Sequence, residues 1–130
     1  GSSVVMQELA KIIPPYNMNQ LSLAAAKLAL KHADVIDATT NKLKAERERM
    51  LAALSEIDCL KVFPSQANFL TVRTPDAAEL FDALKQNNIL IKKLHGAHVL
   101  LDQCVRITIG APKHNDAVLA VVRSLYCSLH

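Results

Sequence analysis

The stretch from Asn88 to Gly110, NILIKKLHGAHVLLDQCVRITIG, decides the fold of this chain. It predicts two short strands joined by a loop that contains histidine and glycine. The second strand covers residues 104–110, CVRITIG, in which three aliphatic residues alternate with a cysteine, an arginine and a threonine. Because successive side chains of a strand point to opposite faces, one face is apolar and the other is partly polar.

Arg106 is the charged residue on the partly polar face of this strand. An arginine at such a position is costly to desolvate unless a negative group meets it. One interpretation is an edge-strand arginine that lies in solvent or pairs with a nearby carboxylate, and the strand pattern alone favours it because most charges are exposed. The other interpretation is a binding site for an acidic ligand.

Four segments of the sequence stand in an informative order: residues 14–19 (PPYNMN), 63–69 (FPSQANF), 88–92 (NILIK) and 104–110 (CVRITIG). In order and spacing they resemble the PPYN-x-N, PS-x-ANF, GI-L-V-R and C-L-R-(I/V)-T-(V/I)-G blocks of the histidinol-phosphate aminotransferases. These are pyridoxal-phosphate enzymes of the aspartate-aminotransferase fold type. The resemblance runs from about Gln7 to Tyr126, which is nearly the whole chain.

The resemblance implies that residues 1–130 are the C-terminal small domain of such an enzyme, and it implies roles for three residues. The arginine at the Arg106 position binds the phosphate of histidinol phosphate in one half-reaction and the α-carboxylate of glutamate in the other. Lys92 stands where the family usually has a second arginine, and an ammonium group cannot reproduce the bidentate geometry of a guanidinium. Asn68, in the ANF block, orients the arginine or the substrate, or instead satisfies a buried backbone group.

The cofactor is expected to lie outside these residues. In the family, the lysine that binds pyridoxal phosphate, the aspartate that pairs with its pyridine nitrogen and the residues around its phosphate precede the matched region. The resemblance therefore predicts a chain that has no catalytic or cofactor-binding residue and is inactive alone. Its expected partners are the missing large domain, a second subunit of the full-length enzyme, histidinol phosphate, and glutamate or 2-oxoglutarate. Relatives that act on aromatic amino acids or on threonine phosphate share these blocks.

Composition and charge exclude several other classes of protein. Hydrophobic residues make up 51% of the 130 and charged residues 21%, which is typical of a folded domain rather than a disordered chain. The aromatic content of 4% predicts an aliphatic core. The net charge of +3 is mild, and basic residues alternate with acidic ones over residues 42–49, so a nucleic-acid surface is not favoured.

Cysteine usage and hydropathy predict a cytoplasmic protein. The three cysteines are odd in number and widely spaced without a CxxC pair, which indicates free thiols in a reducing compartment: Cys59, Cys104 and Cys127. No apolar run approaches the roughly 18 residues needed to cross a membrane. His95 and His98 lie three residues apart in a loop without a nearby cysteine pair, so no metal site is predicted.

The order of predicted elements gives an α+β fold with a small, mostly antiparallel sheet, helices packed on one face, and two to three helices before it. Predicted helices cover residues 4–13, 20–32 and 33–57, with Asn19 as an N-cap of the second. Strands over residues 61–63 and 67–73 follow, and a further helix has Thr74 as its N-cap and Pro75 as its first residue. A third strand over 89–92, the Arg106 strand and a last helix from Pro112 complete the chain.

Two units are expected, a helical lead-in over residues 1–58 and an α+β sheet unit over residues 59–130. The open face of the sheet is left free to meet another domain. A free-standing ligand-binding or regulatory module that dimerises through this face is the alternative from another functional class. An upstream coding sequence that contains the cofactor lysine would distinguish the two.

Overall fold

Five α-helices and four strands run through residues 2–14 and 18–127, the part of the chain that this computed structural model describes. The helices are α1 Ser3–Ala10, α2 Gln20–Lys31, α3 Ala33–Ser55, α4 Ala77–Gln86 and α5 Pro112–Cys127, and the strands are β1 Lys61–Phe63, β2 Phe69–Arg73, β3 Lys92–Lys93 and β4 Cys104–Thr108. No helix within these residues is long and apolar enough to cross a bilayer. The three cysteines are free, and Cys104 is buried.

The chain groups into two compact units that divide between Ala38 and Thr39. The division falls within α3, whereas the sequence predicts a boundary near residue 58, where helices give way to strands. The predicted boundary rests on the change from helices to strands, whereas the observed division reflects how contacts group within the chain. The predicted domain division therefore stays a prediction.

The first unit contains α1, α2 and the beginning of α3. The side chain of Asn19 accepts a hydrogen bond of 2.8 Å from the backbone N–H of Ser22, as predicted for an N-cap. The first helix ends at Ala10, earlier than predicted, because the N–H groups of Lys11 and Ile12 turn to carbonyls three residues back and tighten the last turn. The predicted loop at 16–19 lies partly outside the described residues, which omit 15–17.

The second unit is built on a four-stranded antiparallel sheet of order β1-β2-β4-β3, which confirms the predicted α+β class. Leu70 of β2 pairs with Ile107 of β4, and Val72 pairs with Val105, so these four buried side chains share one face. They join a core that is almost wholly aliphatic and includes α4, α5 and the second half of α3. The helices therefore cover one face of the sheet, as the sequence predicts.

In α3 one apolar stripe is buried from the middle of the helix onward. Met50, Leu54 and Ile57 are buried and Leu43 is half-buried. Arg47, on the same stripe, is 9% exposed, and its Nη1 donates to the Ala67 carbonyl at 3.4 Å. Its stem therefore lies along the core, as expected for a long amphipathic side chain.

The start of α4 differs from the prediction. The N-cap is Asp76 rather than Thr74, because the Asp76 carboxylate accepts hydrogen bonds from the N–H groups of Ala78 and Glu79 at 2.8 and 3.0 Å. These two bonds, that from Glu79 first, hold the pKa of Asp76 below its ordinary value. The hydroxyl of Thr74 instead forms a short hydrogen bond with the hydroxyl of Tyr126 in α5.

Three strands are shorter than predicted, among them the Arg106 strand, which ends at Thr108 rather than at Gly110. The predicted third strand over 89–92 is observed only at Lys92–Lys93, because the N–H of Ile89 bonds to the carbonyl of Leu84 and completes the end of α4. Asn88 there adopts a left-handed conformation, with φ of 59°. The second strand begins at Phe69 rather than Ala67, because Ala67 donates its N–H to the hydroxyl of Ser65 within a turn.

The last helix begins at Pro112, as predicted, and buries Val118 and Val122. Leu125 is half-buried, and the predicted contribution of Leu129 lies outside the described residues.

Candidate anion-binding site on the open sheet face

The face of the sheet opposite the helices carries Arg106. Across the four strands, Phe63 of β1 pairs with Thr71 of β2, Thr71 with Arg106 of β4, and Arg106 with Lys92 of β3. Directly paired residues of an antiparallel sheet point to the same face, with Cβ atoms about 4.5–5.5 Å apart. These side chains therefore lie in one line across the open face, and we call the part of it that Thr71, Arg106 and Lys92 form the Arg106 row.

The guanidinium of Arg106 lies over an aromatic ring. Its Cζ is 4.9 Å from the centroid of Phe69, within the range of a cation–π contact. The residue as a whole is half-buried, and its Nε is buried without a hydrogen-bond partner. Among the described residues no carboxylate pairs with Arg106. Pairing with a nearby carboxylate therefore has no support in this part of the chain, and the role of Arg106 stays a prediction.

The open face is strongly basic. Nine strand side chains share it, and none of them is acidic: Lys61, Phe63, Phe69, Thr71, Arg73, Lys92, Cys104, Arg106 and Thr108. Four of the nine carry a positive charge. Like charges at such spacing repel one another, so an anion bound among them lowers the electrostatic energy of the face.

Arg73, on the same face, has a structural role. Its Nη2 donates to the carbonyl of Leu100 at 2.8 Å and its Nε donates to that of Asp102 at 3.2 Å. These bonds hold the loop that leads into β4. The Arg73 guanidinium is thus partly occupied, in contrast to that of Arg106.

Lys92 is exposed and lies directly across from Arg106 in the Arg106 row. Its neighbour Lys93 pairs with Val105 on the helix-covered face, and its Nζ is 5.9 Å from the ring of Phe81 in α4. Lys92 and Lys93 therefore lie on opposite faces of the sheet. A mobile ammonium beside a fixed guanidinium can add charge to an anion site without fixing the geometry of the ligand.

Asn68 lies just before β2, and its side chain is exposed. Its backbone carbonyl accepts a hydrogen bond of 2.8 Å from the N–H of Ile109, which extends the pairing of β2 with β4 by one residue. No hydrogen bond joins the Asn68 side chain to Arg106 within the described residues. A role for that side chain in the site stays a prediction.

Two residues of this surface, Phe69 and Thr71, were not identified as site residues from the sequence. Both side chains lie on the face of β2 that points the same way as the Arg106 side chain in β4. Their proximity to Arg106, however, depends on how β2 and β4 align, and the register of two strands separated by 30 residues has no local sequence signal.

The loop histidines have structural contacts. The Nδ1 atom of His95 lies 2.7 Å from a carboxylate oxygen of Asp102 and 3.2 Å from the N–H of Gln103. The Nδ1 of His98 accepts the N–H of Leu100 at the start of a single 3-10 turn, Val99–Leu101. No group of three potential metal ligands occurs in the described part of the chain.

The lysines do not fit a covalently bound aldehyde cofactor within this chain. Each of the ten is exposed: Lys11, Lys27, Lys31, Lys42, Lys44, Lys61, Lys85, Lys92, Lys93 and Lys113. A lysine that reacts with an aldehyde cofactor is usually activated by a desolvated pocket or by a cationic neighbour. Only Lys92 and Lys61 lie on the basic face, and neither is enclosed.

Comparisons with known proteins place these features in context. Residues 1–124 match the family model described as aminotransferase class I and II. Histidinol-phosphate aminotransferase from a serogroup C strain of Neisseria meningitidis is 63% identical over 127 residues, which are 98% of this chain and 35% of that protein. The chain therefore spans about a third of the length of this curated relative.

Two solved structures share the fold at 26% identity. Histidinol-phosphate aminotransferase from Sinorhizobium meliloti in complex with pyridoxal-5'-phosphate superposes with a TM-score of 0.73, covering 95% of this chain and 34% of that one. L-threonine-O-3-phosphate decarboxylase from Porphyromonas gingivalis superposes with a TM-score of 0.75, covering 96% of this chain and 39% of that one.

Proposed function

This chain belongs to the class I and II aminotransferase family, and on that premise we propose that it is the C-terminal small domain of a histidinol-phosphate aminotransferase. The proposed reaction of the whole enzyme transfers an amino group between histidinol phosphate and 2-oxoglutarate, in the biosynthesis of histidine. The identity of 63% to the Neisseria enzyme supports this assignment. The C-terminal position within a longer chain is part of the proposal, and so is a cytoplasmic, homodimeric enzyme.

The observation that carries the proposal is the guanidinium of Arg106 on the open face, for which the described residues provide no carboxylate partner. A planar guanidinium offers parallel N–H donors that match two oxygens of either a carboxylate or a phosphate. One arginine can thus bind the acidic group of both amino donors, glutamate and histidinol phosphate. Arg106 holds that acid while the reacting amine extends toward the rest of the enzyme.

The charge of the Arg106 row favours a phosphate as one of the two ligands. A phosphate monoester carries about −1.5 to −2 charges near neutral pH, whereas a carboxylate carries one. Lys92 adds a second positive charge directly across from Arg106. Lys92 and Arg106 together approach the charge of a phosphate, and Arg106 alone matches a carboxylate.

Pyridoxal phosphate, when bound to the whole enzyme, would supply the electron-withdrawing group that permits amino transfer. Because the lysines of this chain are exposed, we propose that the residues holding this cofactor belong to the missing part. The 130-residue chain then turns over no substrate alone. When pyridoxal phosphate is added to it, we expect no stoichiometric absorption band that glutamate bleaches, and such a band would overturn the fragment assignment.

A related enzyme of threonine phosphate is the second candidate, supported by the likeness to the Porphyromonas decarboxylase. Both candidates use a phosphorylated amino compound, so the basic face suits both. The full reading frame that contains this sequence, once expressed, should be assayed with histidinol phosphate and 2-oxoglutarate, and in parallel with threonine phosphate. Turnover of threonine phosphate alone would select the second candidate.

The role of Arg106 is tested in the same full-length protein. Loss of a buried charged hydrogen-bonding partner typically costs about 2–5 kcal/mol, so Arg106→Gln should lower kcat/KM by roughly 30- to 5000-fold. Arg123→Gln is the matched control, because Arg123 is exposed and 3.6 Å from Glu56. Equal activity of the Arg106 and Arg123 variants would exclude the anion-binding role.

A further inference from the structure

The guanidinium of Arg106 has two edges that could bind an oxyanion. One edge consists of the terminal Nη1 and Nη2 groups, and the other consists of Nε and one terminal group. Either edge can donate two parallel hydrogen bonds to a carboxylate or phosphate. The surroundings of the side chain decide which of them a ligand can reach.

The Nε edge is closed in this structure. The Nε atom is buried and has no hydrogen-bond partner, and it alone has this property among the described side-chain nitrogens and oxygens. A ligand oxygen is about as large as a water molecule, so it cannot reach an atom that water cannot reach. The terminal nitrogens also lack a partner among the described residues but are not buried, so they remain open to solvent.

The ring of Phe69 lies against this guanidinium. Phe69 pairs with Thr108, which places it diagonally across from Arg106, and the distance from Cζ to the ring centroid is 4.9 Å. Long and aromatic side chains reach each other across such a diagonal. The attraction between the ring and the cation offsets the hydrogen bond that Nε lacks.

The backbone on both sides of Phe69 is held in place. On one side the carbonyl of Asn68 accepts the N–H of Ile109, and the carbonyl of Ala67 accepts from the buried Arg47. On the other side β2 pairs with β4 over five consecutive residues. The ring is therefore presented from a fixed point and can set the direction of the Arg106 side chain.

We infer that Phe69 is a positioning residue of the anion site: its ring holds the Arg106 guanidinium so that the terminal Nη1–Nη2 edge faces the phosphate or carboxylate. This inference rests on the proposed function, because it concerns the same arginine. Beyond the proposed function, it specifies which edge of the guanidinium binds the ligand and which residue selects that edge.

The test uses the 130-residue chain with labelled arginine and inorganic phosphate as the probe, observed by NMR. Phe69→Leu removes the ring, Phe69→Tyr retains it, and Phe63→Leu is the matched control. Phe63 lies on the same face but contacts Lys61 and Arg73, at 5.5 and 5.6 Å. Thermal unfolding of every variant establishes that it is folded at the temperature of the titration.

Two results are expected, one for phosphate affinity and one for hydrogen exchange. Phosphate affinity at Arg106 falls about three- to thirtyfold in Phe69→Leu, as the range of cation–π contributions implies, and stays within about twofold of wild type in Phe69→Tyr and Phe63→Leu. Exchange of the Arg106 Nε–H with water, slow in the wild type, becomes faster in Phe69→Leu alone. A general loss of stability would not confine the faster exchange to one arginine.

The outcomes separate this inference from the proposed function. If phosphate perturbs no signal of Arg106 in the wild type, and Arg106→Gln binds as the wild type does, the anion-binding role itself fails. If phosphate binds at Arg106 but Phe69→Leu keeps both its affinity and its slow Nε–H exchange, only the positioning role of Phe69 is overturned. If Phe69→Leu is unfolded, the affinity and exchange in Phe69→Ile and Phe69→Met decide by the same criteria.

Discussion

The side-chain amide of Asn115 donates a hydrogen bond of 2.8 Å to the carboxylate of Glu46, which is 69 residues earlier in the sequence. The same amide accepts the N–H of Gly110 at 2.9 Å and donates to the carbonyl of Gly110 at 3.0 Å. Asn115 is 1% exposed. It therefore connects α3, α5 and the turn that follows the Arg106 strand.

Replacing Asn115 should destabilise the sheet unit. Asn115→Ala removes a buried side chain that makes three hydrogen bonds, to Glu46 and to both backbone groups of Gly110, at a cost of about 2–4 kcal/mol. The free energy of unfolding, measured by urea denaturation, gives this loss. The adjacent, exposed His114 is the control, and His114→Ala should change the value by less than about 0.5 kcal/mol. Equal stabilities of the two variants would contradict the account.

Glu46 makes stability depend on pH. Its hydrogen bonds with Arg49 first and with Asn115 second hold the pKa of its carboxyl below the ordinary value. A carboxyl whose pKa is lower in the folded than in the unfolded state stabilises the fold above the unfolded pKa. That contribution disappears as the pH falls through the folded pKa.

We therefore expect the wild type to lose more stability than Glu46→Gln when the pH is lowered from about 6 to about 2. Urea denaturation of both proteins at several pH values gives their free energies of unfolding. The difference between the two free energies should narrow as the pH falls. Asp82→Asn serves as the control, because Asp82 is an exposed acid of α4 that forms no side-chain hydrogen bond or ion pair with the described residues. Parallel curves for the wild type and Glu46→Gln would refute the assignment.

The aliphatic core should respond to truncation according to burial. Leu84 in α4 is fully buried, so Leu84→Ala removes its packing and leaves a cavity, at a cost of about 2–5 kcal/mol. Leu90 is 79% exposed, and Leu90→Ala should cost less than about 0.5 kcal/mol. Denaturant unfolding compares the two variants directly. A Leu90 variant as unstable as the Leu84 variant would mean that Leu90 packs within the folded chain.

The parts of the fold that were predictable from the sequence are those with a local chemical cause. The alternation in 104–110 placed Arg106 on the face away from the helices, and the proline at 112 marked the start of α5. Asn19 was predicted as a cap because its side chain bonds within three residues. Such signals need only the near sequence.

The features that the sequence did not predict depend on competition between neighbouring residues or on contacts between residues far apart in the sequence. Thr74 and Asp76 are both good N-caps, and Tyr126, which is remote in sequence, binds the hydroxyl of the first and leaves the second to cap α4. The proximity of Phe69 to Arg106 depends on strand register, which is set by the packing of the whole sheet. No pattern within a short window contains this information.

Lys92 gives the sharpest test of what the basic face binds. It lies across from Arg106, so its charge acts on the same ligand, while the adjacent Lys93 lies on the other face. Lys92→Gln should weaken binding of inorganic phosphate to the 130-residue chain by about threefold at low salt and by less at 1 M salt. Lys93→Gln should leave it unchanged.

Variants of Lys92 also distinguish a phosphate ligand from a carboxylate ligand. Acetate carries one charge, which the Arg106 guanidinium matches alone, so Lys92→Gln should weaken acetate binding less than phosphate binding. Lys92→Arg introduces a planar donor group, so this variant should bind phosphate at least as tightly as the wild type. NMR titrations that follow the Arg106 guanidinium give all these affinities. An equal loss for acetate and phosphate would mean that Lys92 acts on the general potential of the face and not on the bound phosphate.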